Sequence, residues 1–194
     1  MEKLKPEDLM TLEEYSEKRA EFRKDAVAHK ERRKVYLGGN AVLFFEDRLT
    51  MHYQLQEVLR AEKIFERAGI EDELGAYNPL IPDGANLKAT FMLEYDDREE
   101  RQRKLAQFVG IEDTIWVRIG DHDKVYAIAD EDMERDTREK TSSVHFLRFE
   151  FTPEMVADAK AGEPIGVGID FDAYNHAVDP LPEETRAALA RDFA

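Results

Sequence analysis

Cysteine is absent from this 194-residue chain, so disulfides, thiolate metal sites and cysteine nucleophiles are excluded. Basic residues are scarce beside acidic ones, 28 against 43, and the net charge is −15. Such a balance argues against nucleic acid and against an anionic membrane surface as partners. No run approaches the ~18 apolar residues that a membrane-spanning helix needs. The first residues, MEKLKPEDLM, lack the apolar core of a signal peptide. The expectation is a cytoplasmic chain. Catalytic signatures are missing too. There is no Glu-x-x-His, no His-Glu-x-x-His and no Gly-x-Ser-x-Gly. Gly38-Gly39 and Gly166-Val167-Gly168 do not precede a helix with phosphate-loop spacing.

What is present reads as a globular chain, 42% hydrophobic and 37% charged. Its length suits one domain spanning residues 1–194. A long N-terminal helix is expected over residues 12–32, opened by a capping box of Thr11 and Glu14. Lys34–Leu37 and Ala41–Glu46 flank a Gly38-Gly39-Asn40 turn and read as a hairpin. A helix over Leu49–Arg67 is expected to stop at Gly69, with a short helix and loop over Ile70–Pro82. Leu87–Tyr95 reads as a strand, and Asp97 opens a helix ending at Gly110. Thr114–Ile119 and Lys124–Ala129 suggest another hairpin. Residues 130–141, dense in both charges, suggest a charged surface excursion. Ser143–Phe151 is the clearest strand, followed by a helix from Pro153 to Gly162, a strand over Ile165–Phe171 and a helix over Glu183–Phe193. Asp170, Asp172, Asn175 and His176 read as a polar loop. The pattern predicts an α+β fold, a largely antiparallel sheet packed against several helices.

Polar residues on apolar faces mark the candidate site. The helix stripe Met51, Leu55, Val58, Phe65 carries Glu62 at its fourth position. A charge there costs several kcal/mol, on the order of the burial penalty of an unpaired ion, unless it is paired or bound. Strand alternation puts His145 with Leu147, Phe149 and Phe151, where it reads either as a metal ligand or general base or as a core histidine hydrogen-bonded to a backbone carbonyl or a carboxylate. It puts Glu94 with Thr90 and Met92, and Glu46 with Val42 and Phe44, where each reads equally as inward or as a strand end in water. A cluster of Glu46, Glu62, Glu94 and His145, with Glu57 as a further candidate, would suit a divalent metal such as Fe, Mn or Zn. Arg101 and Arg19 offer the alternative of structural ion pairs to Glu62 or Glu94.

Three segments carry a resemblance: GGNAVLFFEDRLTMHYQLQEVLRAE, ELGAYNPLIPDGANLKATFMLE and SSVHFLRFEF. They resemble the core motifs of a bacterial family, domain of unknown function three-five-zero-one, over nearly the whole chain. The segment DFDAYNH departs from that pattern. The resemblance implies no activity, only a setting in redox or oxidative-stress metabolism. Two functions are therefore expected to compete. One is a metal- or small-ligand-binding protein of redox metabolism. The other is a non-catalytic interaction or assembly module with a structural buried polar core, whose acidic surface meets a basic patch on a redox protein partner. A homo-oligomer is a separate expectation.

Overall fold

Thr11 opens the first helix, α1 (Leu12–Glu31), by the reciprocal capping box that its sequence predicts. The computed structural model describes every residue of the chain except Glu134, Asp136 and Arg138. A hairpin of β1 (Lys34–Leu37) and β2 (Ala41–Glu46) follows, turning at Gly38 with φ 73°. Asp47 caps α2 (Arg48–Glu62) by accepting the Thr50 N–H at 2.9 Å. Then come α3 (Arg67–Tyr77), β3 (Asn86–Leu93), α4 (Arg98–Gln107) and β4 (Ile115–Ile119). Two short strands, β5 (Val125–Tyr126) and β6 (Ile128–Ala129), precede β7 (Val144–Glu150). The chain closes with α5 (Pro153–Ala161), β8 (Ile165–Phe171), β9 (Tyr174–Val178) and α6 (Glu183–Ala190).

The strands form two sheets, ordered β1-β2-β3-β7-β6 and β5-β4-β8-β9. Every pairing among the described residues is antiparallel. The fold is α+β, as the sequence predicts, with two sheets where one was expected. Side chains alternate across the five-stranded sheet, so its two faces differ. One face, with Leu43, Phe45, Phe91, Leu147 and Phe149, joins Val117, Ile165, Val167 and Ile169 of the other sheet in one apolar cluster. The opposite face carries Phe44, Glu46, Thr90, Met92 and Phe146, and β2, β3 and β7 are in register there: Phe44 pairs with Thr90, and Thr90 with Phe146. A second apolar cluster, including Met51, Leu55 and Leu59 of α2 with Leu74 and Ile81, builds the helical layer on that side.

Three expectations are corrected. The helix from residue 48 ends at Glu62, not at Gly69, because Lys63 turns left-handed at φ 58° and the Ile64 N–H bonds back to the Leu59 carbonyl at 2.9 Å. Its buried stripe is Met51, Leu55 and Leu59, while Glu62 and Phe65 are exposed. The expected strand over Lys124–Ala129 is split, so that β5 pairs with β4 in one sheet and β6 with β7 in the other. Residues 174–178, expected as loop, form an edge strand whose first residue ties the sheets together. The Tyr174 hydroxyl donates to the Leu37 carbonyl at 2.7 Å and accepts the N–H groups of Asn40 and Ala41 at 3.0 and 3.1 Å. Over residues 130–141, Glu131–Met133, Thr137, Glu139 and Lys140 are exposed and Thr141 is buried, and positions 134, 136 and 138 lie outside the described residues. No helix among the described residues is long and apolar enough to cross a membrane.

Candidate functional site

Glu46 ends β2 on the face turned to the helices, and it is only 4% exposed. Its Oε1 accepts a hydrogen bond from Thr90 Oγ1 at 2.8 Å, across the β2–β3 ladder. Its Oε2 is buried and has no hydrogen-bond partner among the described residues. Leaving a buried acceptor unsatisfied costs about 1–3 kcal/mol, and more for a charged one. Lys88, the register partner of Glu46 on β3, does not supply the missing contact. It lines a different cavity with Glu131 and Arg148.

Glu46 opens into a cavity of about 300 Å³ between α2 and the outer face of the five-stranded sheet. Phe44, Thr90, Met92 and Phe146 form its floor. Met51 and Gln54 of α2 form its roof, and Tyr77 and Lys30 close two sides from the ends of α3 and α1. Burial holds the Tyr77 hydroxyl above its ordinary value, a shift that its contact with Gln54 partly offsets. Lys30 Nζ stands 5.7 Å from the Phe44 ring centroid and makes no ion pair among the described residues. The space is small and apolar, with a carboxylate, a hydroxyl, an amide, a phenol and an ammonium at its edge. That is the composition of a small-molecule site.

The other expected site residues are not brought to this cavity. His145 is fully buried, as its alternation predicts, but on the opposite face of the sheet. Its Nδ1 lies 2.6 Å from Asp130 Oδ2, and its Nε2 lies 2.8 Å from Thr141 Oγ1 and 3.1 Å from the Ser142 carbonyl. Asp130 Oδ1 also accepts the Phe146 N–H at 3.0 Å. Thr141, His145 and Asp130 thus have the order of a catalytic triad, yet the hydroxyl is buried and none of the three lines a described cavity. The network fastens the excursion to β7. Glu57 is held by Arg19 in a two-pronged ion pair of 2.7 and 2.8 Å and by the Tyr15 hydroxyl at 2.6 Å. The Arg19 hydrogen bonds push its carboxyl down to about 2. Glu94 and Arg101 are exposed, and Glu62 sits in water at the end of α2. The expectation that Glu62 is a core charge is therefore corrected, because the helix ends before the stripe reaches it. Arg19 does form a structural ion pair, with Glu57 rather than Glu62 or Glu94. Among the described residues no group of three or more His, Asp and Glu side chains is placed to hold a metal ion.

Beside the cavity lies a buried charge cluster that sequence reasoning missed. Arg33, 2% exposed, donates from Nε to the Phe45 carbonyl at 2.9 Å and from its two amino groups to the carbonyls of Ala188 and Glu46 at 3.1 and 3.2 Å. It pairs with Asp192 and lies 3.5 Å from Asp47, which in turn meets His29 at 2.6 Å. Burial pushes Asp192 up to about 6 despite Arg33. Burial would also raise Asp47, but the Arg33 charge and the Thr50 N–H outweigh it and hold Asp47 below its ordinary value. The cluster ties the C-terminal segment to the strand that carries Glu46. It was not legible because its partners are 159 residues apart.

Two antiparallel sheets under a helical layer, with a polar-edged cavity between layer and sheet, define an α+β protein with an internal pocket. The chain belongs to the family described as protein of unknown function, DUF3501, whose model matches residues 3–193. This confirms the resemblance carried by the three sequence segments. The chain is also similar to a novel protein of unknown function from Burkholderia pseudomallei K96243, known from a crystal structure, with 47% identity, 100% of each chain covered and a TM-score of 0.94. No curated protein matches the sequence.

Proposed function

We propose that the protein is a small-ligand-binding protein whose ligand occupies the cavity over Glu46, Thr90 and Gln54. The supporting observation is Glu46 Oε2, a buried carboxylate oxygen without a hydrogen-bond partner among the described residues, at the edge of an apolar space. A ligand that places a cation or a strong N–H donor on that oxygen supplies the missing interaction, and a charge-assisted hydrogen bond in such surroundings is among the stronger ones available. The donor set suits an organic cation better than Fe, Mn or Zn. One carboxylate, a hydroxyl and an amide are few ligands for a divalent ion, and the buried imidazole of His145 is on the far face of the sheet.

A thermal-shift panel of alkylamines and guanidines tests the reading. Binding stabilises the native state by mass action. The expected result is a rise in melting temperature for wild type that disappears in Glu46→Gln. Equal shifts in both proteins contradict a role for Glu46.

A further inference from the structure

The cavity has a second charged edge. Lys30 lies in the last turn of α1 and lines the same space as Glu46, from the side of Phe44. Its neighbours on that surface are engaged: Lys34 pairs with Glu31 at 3.1 Å, and His29 with Asp47 at 2.6 Å. Lys30 makes no ion pair among the described residues. Its Nζ stands 5.7 Å from the centroid of the Phe44 ring, which is itself part of the cavity floor. A small apolar chamber thus has on its lining a carboxylate oxygen and an ammonium that find no hydrogen-bond or ion-pair partner, respectively, among the described residues. A ligand with one charge would satisfy one of them and leave the other. A ligand with both would satisfy each with the complementary group.

We infer that the occupant is a zwitterion, with an ammonium or amidinium held by Glu46 and a carboxylate or phosphate held by Lys30. This rests on the cavity being a ligand site. It adds the charge pattern of the ligand and the second residue that selects it. Phe44, Met51, Met92 and Phe146 then bracket the aliphatic spacer between the two charged ends. Discrimination comes from both ends. An amine without the acid forfeits Lys30, and an acid without the amine meets the bare Glu46 carboxylate as a like charge.

The test is isothermal titration calorimetry with an ω-amino acid series from β-alanine to 6-aminohexanoate, with phosphoethanolamine, and with the matching alkylamines and alkanoates as single-charge controls. The proteins are wild type, Lys30→Met, Glu46→Gln and the cavity-filling Met92→Trp, each checked by circular dichroism. Wild type is expected to bind one zwitterion at least about tenfold more tightly than the matching amine, the scale of one partly desolvated ion pair. Lys30→Met should remove that advantage while the amines still bind, at least as tightly as to wild type, because a like charge has left the lining. Glu46→Gln and Met92→Trp should lose both ligands. Carboxylate and phosphate arms that differ in affinity show which anion the Lys30 end takes. If amines bind wild type as tightly as zwitterions, or Lys30→Met keeps the difference, the zwitterion inference falls while the cavity reading stands. If no amine or amino acid binds, or binding persists in Met92→Trp, both fall.

Discussion

Thr90 Oγ1 donates to Glu46 Oε1 at 2.8 Å, while the second oxygen of the same carboxylate is buried without a partner among the described residues. The two residues stand on neighbouring strands, two positions from direct register, with Thr90 opposite Phe44 and Lys88 opposite Glu46. The carboxylate is therefore half satisfied by its own sheet and half open to the cavity.

Thr90→Val should expose what that hydrogen bond contributes. It keeps the shape and β-propensity of the side chain but leaves both Glu46 oxygens without the Thr90 donor. A loss of about 1–3 kcal/mol in urea unfolding is expected. A Thr90→Val, Glu46→Leu double variant should recover much of it, because an apolar pair leaves no buried acceptor. A double variant as unstable as the sum of the singles contradicts this account.

Arg33→Met should be among the most damaging substitutions near the site. It strands Asp192 in the interior, takes a positive charge from 3.5 Å beside Asp47 and removes donors to the carbonyls of Phe45, Glu46 and Ala188. Breaking a buried pair from one side costs about 3–5 kcal/mol. Chemical denaturation measures this, and a loss below about 1 kcal/mol would show that the cluster is solvated.

Asp192 gives that cluster a pH signature. Its carboxyl is pushed up to about 6 by burial, from an ordinary value of 3.8. Across that window the folded chain holds a proton that the unfolded chain has released. The contribution of this group is therefore fully present below its ordinary value and is lost as pH rises through about 6. Asp192→Asn removes the titration. The stability of wild type relative to Asp192→Asn should be greater at about pH 4.5 than at about pH 7. A difference that is constant or reversed in urea midpoints contradicts the assignment.

Asp130→Ala should loosen the excursion from β7, because Asp130 serves His145 Nδ1 and the Phe146 N–H together. The cost expected in thermal unfolding corresponds to about 2–3 kcal/mol, the scale of a hydrogen bond to a charged group plus a stranded donor. Ligand affinity in the cavity should fall by less than stability does, since His145 faces away from it and only the Phe146 N–H links Asp130 to the cavity floor. Loss of binding in a folded Asp130→Ala protein would connect the two faces of the sheet and contradict that separation.

The strands were the most legible part of the molecule. Alternation alone places Glu46 with Phe44 and Val42, and His145 with Leu147 and Phe149, and the register keeps both assignments. The misplacement of Glu62 has a local cause. A 3.6-residue stripe was extended through a helix end marked only by Lys63 in a left-handed conformation, where no glycine announced the stop. The candidate site itself was half legible. Alternation puts Glu46 on an apolar strand face without deciding between inward and a strand end in water, and Lys30, Gln54 and Tyr77 come from three separate helices. Their convergence depends on how those helices pack on the sheet, and no local period encodes that. Arg33 and Asp192 were hidden for the same reason, and β9 because its polar residues read as loop.

The proposed ligand is a cation-bearing small molecule that enters the cavity and meets Glu46. Of six methionines, Met51 and Met92 line that cavity. Methyl-labelled methionine NMR therefore reports occupancy directly. Titration with n-pentylamine and 5-aminovalerate should shift the Met51 and Met92 methyl signals saturably, leave those of Met1, Met133 and Met155 in place, and have no effect in Glu46→Gln. Unmoved Met51 and Met92 signals, or equal shifts in Glu46→Gln, would contradict the claim.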